Sequence, residues 1–197
     1  MKRLLDIILS LLGLIFLSPV VLFTAIAIKI SDGKSVLYRA SRIGRFGKSF
    51  TMYKFRTMVV NADRVGPSSS SSDDRRITKT GRCLRKYKID EIPQLLNVLI
   101  GNMSIVGPRP EVKKFTDMFS KEEKAILSVK PGITDWASIW NSDEGQILEG
   151  AEDPDSVYIE LIRPEKIRLQ LQYVKNHNFF IDLKIIFLSI RKIVFGK

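Results

Sequence analysis

The 197-residue chain has one cysteine and one histidine. A lone Cys83 has no intramolecular partner, so no disulfide staples the fold, as suits a reducing compartment. Cys83 and His177 together are too few for a structural or catalytic zinc site. Any Ser-His-Asp arrangement would have to use His177, and nothing in its neighbourhood argues for one. There are two tryptophans and no recognisable nucleic-acid-binding motif. Nucleophilic and acid–base chemistry therefore falls to carboxylates, hydroxyls or lysines. Acidic residues are the scarcer charge, 21 against 32 basic, for a formal net charge of +11. Such a surface wants an anionic partner, and charge alone does not choose between nucleic acid, anionic lipid and a phosphorylated substrate.

Apolar residues make up 45% of the chain, but they are unevenly spread. Ile7 to Ile28 carries no charge and meets the roughly 20 residues a bilayer-spanning helix needs. Ala25-Ile26-Ala27 resembles a signal cleavage site, yet the run exceeds the usual apolar core of about 7–15 residues. A simple span conflicts with its flanks, because Lys2 and Arg3 precede it and Lys29, Lys34, Arg39 and Arg42 follow. Ser18-Pro19 interrupts the run at its middle. Proline removes a backbone donor and restricts the residue before it. A re-entrant hairpin would return both basic flanks to one side. A proline-kinked span satisfies the backbone equally well, so the residues alone leave the two even. Asp6 at the entrance is open to pairing with Arg3, capping or solvation.

Phe50, Met52 and Lys54 alternate with Thr51, Tyr53 and Phe55, as in a short strand. Arg39, Arg42, Lys54 and Arg56 are candidate phosphate holders, although a basic membrane-facing patch explains most such cations. Asn61 to Arg76, with Pro67 and Ser68 to Ser72, reads as a flexible loop or lid. Thr78 to Leu99 reads as helix in two pieces, with Pro93 suited to a first turn. Asp90 then sits near a helix N-terminus, and an N-cap aspartate is the commoner explanation. Gly107-Pro108-Arg109-Pro110 holds an arginine between two prolines, either for planar phosphate recognition or as a tight turn.

Taken together, Ser18-Pro19, Tyr53 to Met58, Leu84-Arg85, Asp90-Glu91-Ile92-Pro93-Gln94-Leu95, Gly101 to Pro110, Pro131 to Thr134 and Asp182 to Lys184 resemble the small bacterial sugar transferases, the monotopic phosphoglycosyl transferases. The matching stretches keep the family's order over nearly the whole chain. The resemblance implies a helix-rich mixed α/β fold. A re-entrant helix-break-helix over 1–33, broken at Ser18 and Pro19, would precede a small cytosolic, membrane-docked catalytic domain over 34–197 with interfacial amphipathic helices. It implies transfer of a sugar 1-phosphate from a UDP-sugar to undecaprenyl phosphate at the cytoplasmic face of the bacterial inner membrane, with release of UMP. Asp90 would be the nucleophile, forming a covalent phosphosugar, and Glu91 its dyad partner, with Mg²⁺ held at Asp90 and Glu91. Lys54, Arg56, Arg85, Arg109 and Asp182 would bind phosphate or substrate. The partners implied are UDP-sugar, polyprenyl phosphate and membrane lipid rather than nucleic acid, with a homo-oligomer left open.

Three positions depart from the family pattern: Asp135 and Ser138, where relatives often read glycine and glutamine, and Gln170, where they often carry aspartate. Their consequence for donor choice is open. Ser142 to Asp155 reads as an acidic solvated loop, Pro164 begins a helix through Tyr173, and Ile181 to Phe195 suits either an interfacial helix or a docked core helix. His177 is expected at a helix end. The competing functions are an ordinary glycosyl transferase releasing UDP, a membrane-tethered nucleic-acid binder and a scaffold.

Overall fold

The computed structural model describes residues 1–195; the last two residues of the expected 34–197 domain lie outside them. The fold is a helix-rich mixed α/β domain. Helices α1 (Lys2–Phe16) and α2 (Ser18–Asp32) meet at a 60° bend. Pro19 lies in the first turn of α2, and Ser18 Oγ donates to the Ile15 carbonyl at 2.8 Å. Among the described residues no single helix is long and apolar enough to cross a membrane, but this bent pair meets the length and composition together.

Strands β1 (Leu37–Ile43) and β2 (Ser49–Phe55) form an antiparallel hairpin, pairing Tyr38 with Lys54. Helix α3 (Lys79–Lys86) follows the serine-rich segment, and a 3₁₀ turn, Ile89–Glu91, leads to α4 (Gln94–Ile100). Strand β3 (Ser104–Val106) pairs in parallel with β4 (Gly132–Thr134). A Cβ on Gly132 would lie 2.1 Å from the Gly107 nitrogen, so the close crossing that presents Arg109 requires glycine there. Short helices α5 (Lys113–Thr116), α6 (Trp136–Trp140), α7 (Glu144–Ile147) and α8 (Pro154–Val157) precede a π-type turn, Tyr158–Ile162. The chain ends in α9 (Arg163–Asn176), capped by His177, and α10 (Phe179–Phe195).

The apolar interior is divided. Ala40, Met52, Val98 and Met103 fasten the hairpin to α4. Ile28, Phe55 and Leu84, with Ile89 and Ile92, pack α2 beneath the 3₁₀ turn. Val106, Tyr173 and Ile185 join β3, α9 and α10. Buried Asn97 donates to the Thr51 carbonyl at 2.7 Å and accepts from the Tyr53 amide at 2.9 Å. This pairing sets β2, and hence Lys54, against α4.

The start of α1 is bound to the domain. Lys2 pairs with Asp182 at 2.6 Å, and the Arg3 guanidinium bonds the Val98 and Leu99 carbonyls at the end of α4, satisfying acceptors that a helix terminus leaves open. Asp6 neither pairs with Arg3 nor faces water. It is buried and accepts from Ser104 Oγ and the Ile105 amide, each at 2.9 Å. The outer faces of the helix pair expose Leu4, Leu11, Phe16, Phe23 and Ile30. On α10, Phe180, Phe187, Ile190 and Ile193 are exposed while Ile185 is fully buried, so this helix docks on one face and presents apolar surface on the other.

The segment read as a flexible loop is pinned down. The Ser68 and Ser69 amides donate to Asp155, the latter at 2.6 Å, and the Ser72 amide donates to the Gly145 carbonyl at 2.9 Å. Low-complexity sequence hides this because its partners, Asp155, Gly145 and Glu149, lie far along the chain. The expected acidic loop Ser142 to Asp155 supplies the other side, folded as α7 and the start of α8.

Candidate active site

Lys88 has φ of 56°, a left-handed conformation unusual for a side chain of its size. It turns the chain out of α3 and into the 3₁₀ turn that carries Asp90 and Glu91. The N-cap reading of Asp90 fails here: Pro93 occupies the cap of α4, and no side chain caps that helix. Glu91 lies next to Asp90 on the tight turn and faces different partners.

Glu91 is saturated. Arg109 grips both its carboxylate oxygens, and Lys54 Nζ donates to Oε1 at 3.1 Å. Burial pushes its pKa up, but the charges of Arg109 and Lys54 outweigh this and hold it well below the usual carboxylate value. Asp90 is different. It is only 6% exposed, and among the described residues no hydrogen bond reaches its carboxylate; its ion-pair partner is Lys54, 3.8 Å from Oδ2. Burial raises its pKa above 3.8, opposed by Lys54. Lys54 itself is pushed down by burial, while Glu91 raises it; Arg109 is pushed up by Glu91. Two adjacent carboxylates thus carry distinct roles, one locked and one free.

Arg85 completes the cationic wall. Its Nε donates to Thr57 Oγ1 at 2.9 Å and its Nη1 to Ser70 Oγ at 2.8 Å. A Cβ on Gly81 would meet the Thr57 carbonyl at 2.0 Å, so glycine lets α3 press against β2's end and bring Arg85 to the cavity. Lys54, Arg85, Asp90, Glu91 and Arg109 line one cavity of about 1520 Å³, large enough for a nucleotide-sized ligand.

Two expected site residues are engaged by other parts of the protein. Arg56 lines the cavity rim, but its guanidinium is engaged by Asp32 at 2.6 and 2.7 Å and by the Ser35 carbonyl. It ties α2 to β2 and has little left for phosphate. Asp182 does not line the cavity. It is 2% exposed, paired with Lys2 and accepting from Tyr173 Oη at 2.7 Å. These partners join α1, α9 and α10 through Asp182.

The three departures from the family pattern meet in one cluster. Asp135 is fully buried and caps α6, accepting from the Ser138 amide and Oγ, each at 2.7 Å. Its other oxygen accepts from Gln170 Nε2 at 3.1 Å and from the Arg109 amide at 3.2 Å. Arg42, a candidate phosphate holder from the sequence, lines the cavity beside a polar group that reading along the sequence missed: Glu111, Glu144, Tyr158 and Lys166. The only signal for it was Tyr158, Ile162 and Lys166 at helical spacing, a stripe more easily read as core.

A hard divalent ion fits this donor set. Mg²⁺ is usually held by one or two carboxylates together with substrate phosphates and water. Among the described residues no group of three ligating side chains forms a ready cage, but Asp90 is an unengaged carboxylate beside Glu91.

A family model described as bacterial sugar transferase matches residues 1–196. The chain is 39% identical over 194 residues to an uncharacterized sugar transferase, EpsL, of Bacillus subtilis, covering 98% of this chain and 87% of that protein. It is 36% identical to the UDP-N-acetylgalactosamine-undecaprenyl-phosphate N-acetylgalactosaminephosphotransferase of Aeromonas hydrophila, covering 99% of this chain and 44% of that protein. It is likewise 36% identical to the UDP-glucose:undecaprenyl-phosphate glucose-1-phosphate transferase of Escherichia coli, covering 98% of this chain and 40% of that protein. The chain therefore spans less than half the length of the latter two.

Proposed function

This chain belongs to the bacterial sugar transferase family, and we propose that it transfers a sugar 1-phosphate from a UDP-sugar to undecaprenyl phosphate. The relatives' names support the reaction class. The observation that carries the residue assignment is the asymmetry of the two carboxylates: Glu91 is saturated by Arg109 and Lys54, whereas Asp90 is buried, accepts no hydrogen bond from the described residues and faces a cationic cavity.

In this reading an Asp90 carboxylate oxygen attacks the β-phosphorus of the donor. The bond from that phosphorus to the bridging oxygen breaks, UMP leaves with the electron pair, and a covalent aspartyl phosphosugar remains. A phosphate oxygen of the lipid then attacks the same phosphorus and expels Asp90, yielding the polyprenyl diphosphate sugar. Nucleophilic catalysis splits one displacement into two. Lys54, Arg85 and Arg109 stabilise the charge on the transferring phosphoryl group. Glu91 orients Lys54 and Arg109. Mg²⁺ would be held by Asp90 with substrate phosphates and water, since Arg109 and Lys54 already occupy Glu91, and would supply positive charge against the diphosphate.

The helix pair acts as a re-entrant membrane anchor over 1–33, with 34–197 docked at the cytoplasmic face. Lys2, Arg3 and Asp6 at its start and Asp32 at its end all bind the same domain. A span would put those ends on opposite faces. Each 15-residue arm rises about 22 Å, short of the roughly 30 Å hydrocarbon core.

The test is incubation with Mg²⁺, undecaprenyl phosphate and a panel of UDP-sugars, followed by identification of the nucleotide released. UMP is expected, and a donor labelled in its sugar should label the protein when lipid is omitted. Asp90→Asn should abolish both. UDP release would mean an ordinary glycosyl transferase, and full turnover by Asp90→Asn would remove the covalent mechanism.

A further inference from the structure

The cationic part of the cavity offers donors alone, which suits phosphate oxygens. A second part of its lining differs in kind. Lys166 is buried and ion-pairs with Glu111 at 2.7 Å and Glu144 at 2.9 Å, and Tyr158 Oη donates to Glu111 at 2.8 Å. Lys166 holds Glu144 by Oε1, while Glu144 Oε2 takes no hydrogen bond from the described residues. Asn141 also lines the cavity, and its Nδ2 is buried without a partner among the described residues. Burying a donor unpaired is unfavourable, so an occupant that accepts from it recovers the lost bond. An unpartnered donor and an unengaged acceptor, three residues apart on one segment that lines the cavity, match a hydroxyl-bearing ring, because each hydroxyl both gives and accepts. A phosphate, which only accepts, would be repelled by Glu144.

A UDP-sugar has two such rings, the ribose and the transferred sugar. Position separates them. Arg109 grips Glu91, and two residues further on Glu111 shares Lys166 with Glu144, at 2.7 and 2.9 Å, which places Glu144 close to the reacting pair. The transferred sugar is bonded to the phosphate that Asp90 attacks, whereas the ribose lies one phosphate further away. Building on the reaction proposed above, we infer that Asn141 and Glu144 read the hydroxyls of the transferred sugar and so select the donor, with Lys166 holding Glu144 in place.

The test uses the full chain in lipid nanodiscs with Mg²⁺ and undecaprenyl phosphate. It measures kcat/KM across UDP-hexoses that differ at one hydroxyl or by a 2-acetamido group, together with inhibition by UMP. Asn141→Ala and Glu144→Gln are each expected to reduce discrimination between the best donor and its epimers by at least about tenfold, with UMP inhibition within about twofold of the parent. Asn141 Nδ2 makes no hydrogen bond among the described residues, so Asn141→Ala carries the test alone if Glu144→Gln fails to fold. Unchanged discrimination overturns the assignment. A parallel loss of UMP inhibition also overturns it, by placing the ribose on this wall. If the parent chain releases UMP from no donor, the transfer reaction itself falls, an outcome distinct from a parent that turns over and variants that discriminate as it does.

Discussion

Asp182→Asn separates two roles for one residue. The family resemblance places Asp182 with the substrate, whereas the structure pairs it with Lys2 and Tyr173. Asparagine keeps the shape and loses the charge. Breaking a fully buried ion pair costs about 3–5 kcal/mol, and a hydrogen bond to a charged group contributes about 1.5–3 kcal/mol. The Asp182 side chain is 3% exposed, but that of Lys2 is 37% exposed and can turn toward water, so the lower range of about 2–3 kcal/mol applies. For a chain of this size each kcal/mol shifts Tm by about 2–4 °C, giving a fall of about 4–12 °C. Thermal unfolding of parent and variant in the same detergent reads this directly. Lys2→Met and the double variant complete a cycle in which the two losses should be less than additive. Donor KM should stay within about twofold at a temperature where both are folded. An unchanged Tm with KM raised tenfold or more would refute this joining role and return Asp182 to the substrate site.

Other outcomes follow from the same geometry. Arg56→Ala should lower stability by about 1–3 kcal/mol, because it frees Asp32 and the Ser35 carbonyl; a large rise in donor KM without loss of stability would instead make Arg56 a phosphate ligand. Because burial raises the Asp90 pKa and attack needs the ionised form, kcat/KM should fall on the acid side with an apparent pKa above 3.8; a limb at or below 3.8 would contradict this. Glu91 has a depressed folded pKa, so the stability it contributes is fully present above the unfolded value of 4.5 and is lost as pH falls below it. Urea unfolding of Glu91→Gln should show a flatter pH dependence there than the parent chain, and identical profiles would remove that role. Arg109→Lys keeps a charge but loses the two-pronged grip on Glu91, so turnover should drop at least about tenfold; parental kinetics would show that charge alone suffices.

The carboxylate pair on the cavity was legible because it is local. Asp90 and Glu91 are adjacent, and their motif sits beside a proline that ends one helix and starts another. The paired strand around Lys54, helix α9 near Pro164 and the break at Ser18-Pro19 were legible for the same reason: alternation, capping and a missing backbone donor act within a few residues. The ion pairs of Arg56 with Asp32 and of Asp182 with Lys2 were not legible, because a charged residue in a motif has no visible partner. Whether it meets phosphate or a distant side chain depends on contacts that sequence spacing does not encode. The serine-rich segment reads as mobile for a related reason, since its order comes from Asp155 and Gly145.

By itself, the sequence determined the broad class: a basic chain with a long uncharged segment, too little cysteine and histidine for a disulfide or a zinc site, and a carboxylate pair in a motif shared with sugar transferases. Composition and local pattern suffice for that, because each exclusion needs only a count and each element only its neighbours. Tertiary structure decided which carboxylate is free, which cations remain available and which residues share the cavity. It also tied both ends of the helix pair to one domain and gathered Asp135, Ser138 and Gln170 around Arg109. Those outcomes depend on groups far apart in the chain competing for the same partners, and only folding resolves that competition.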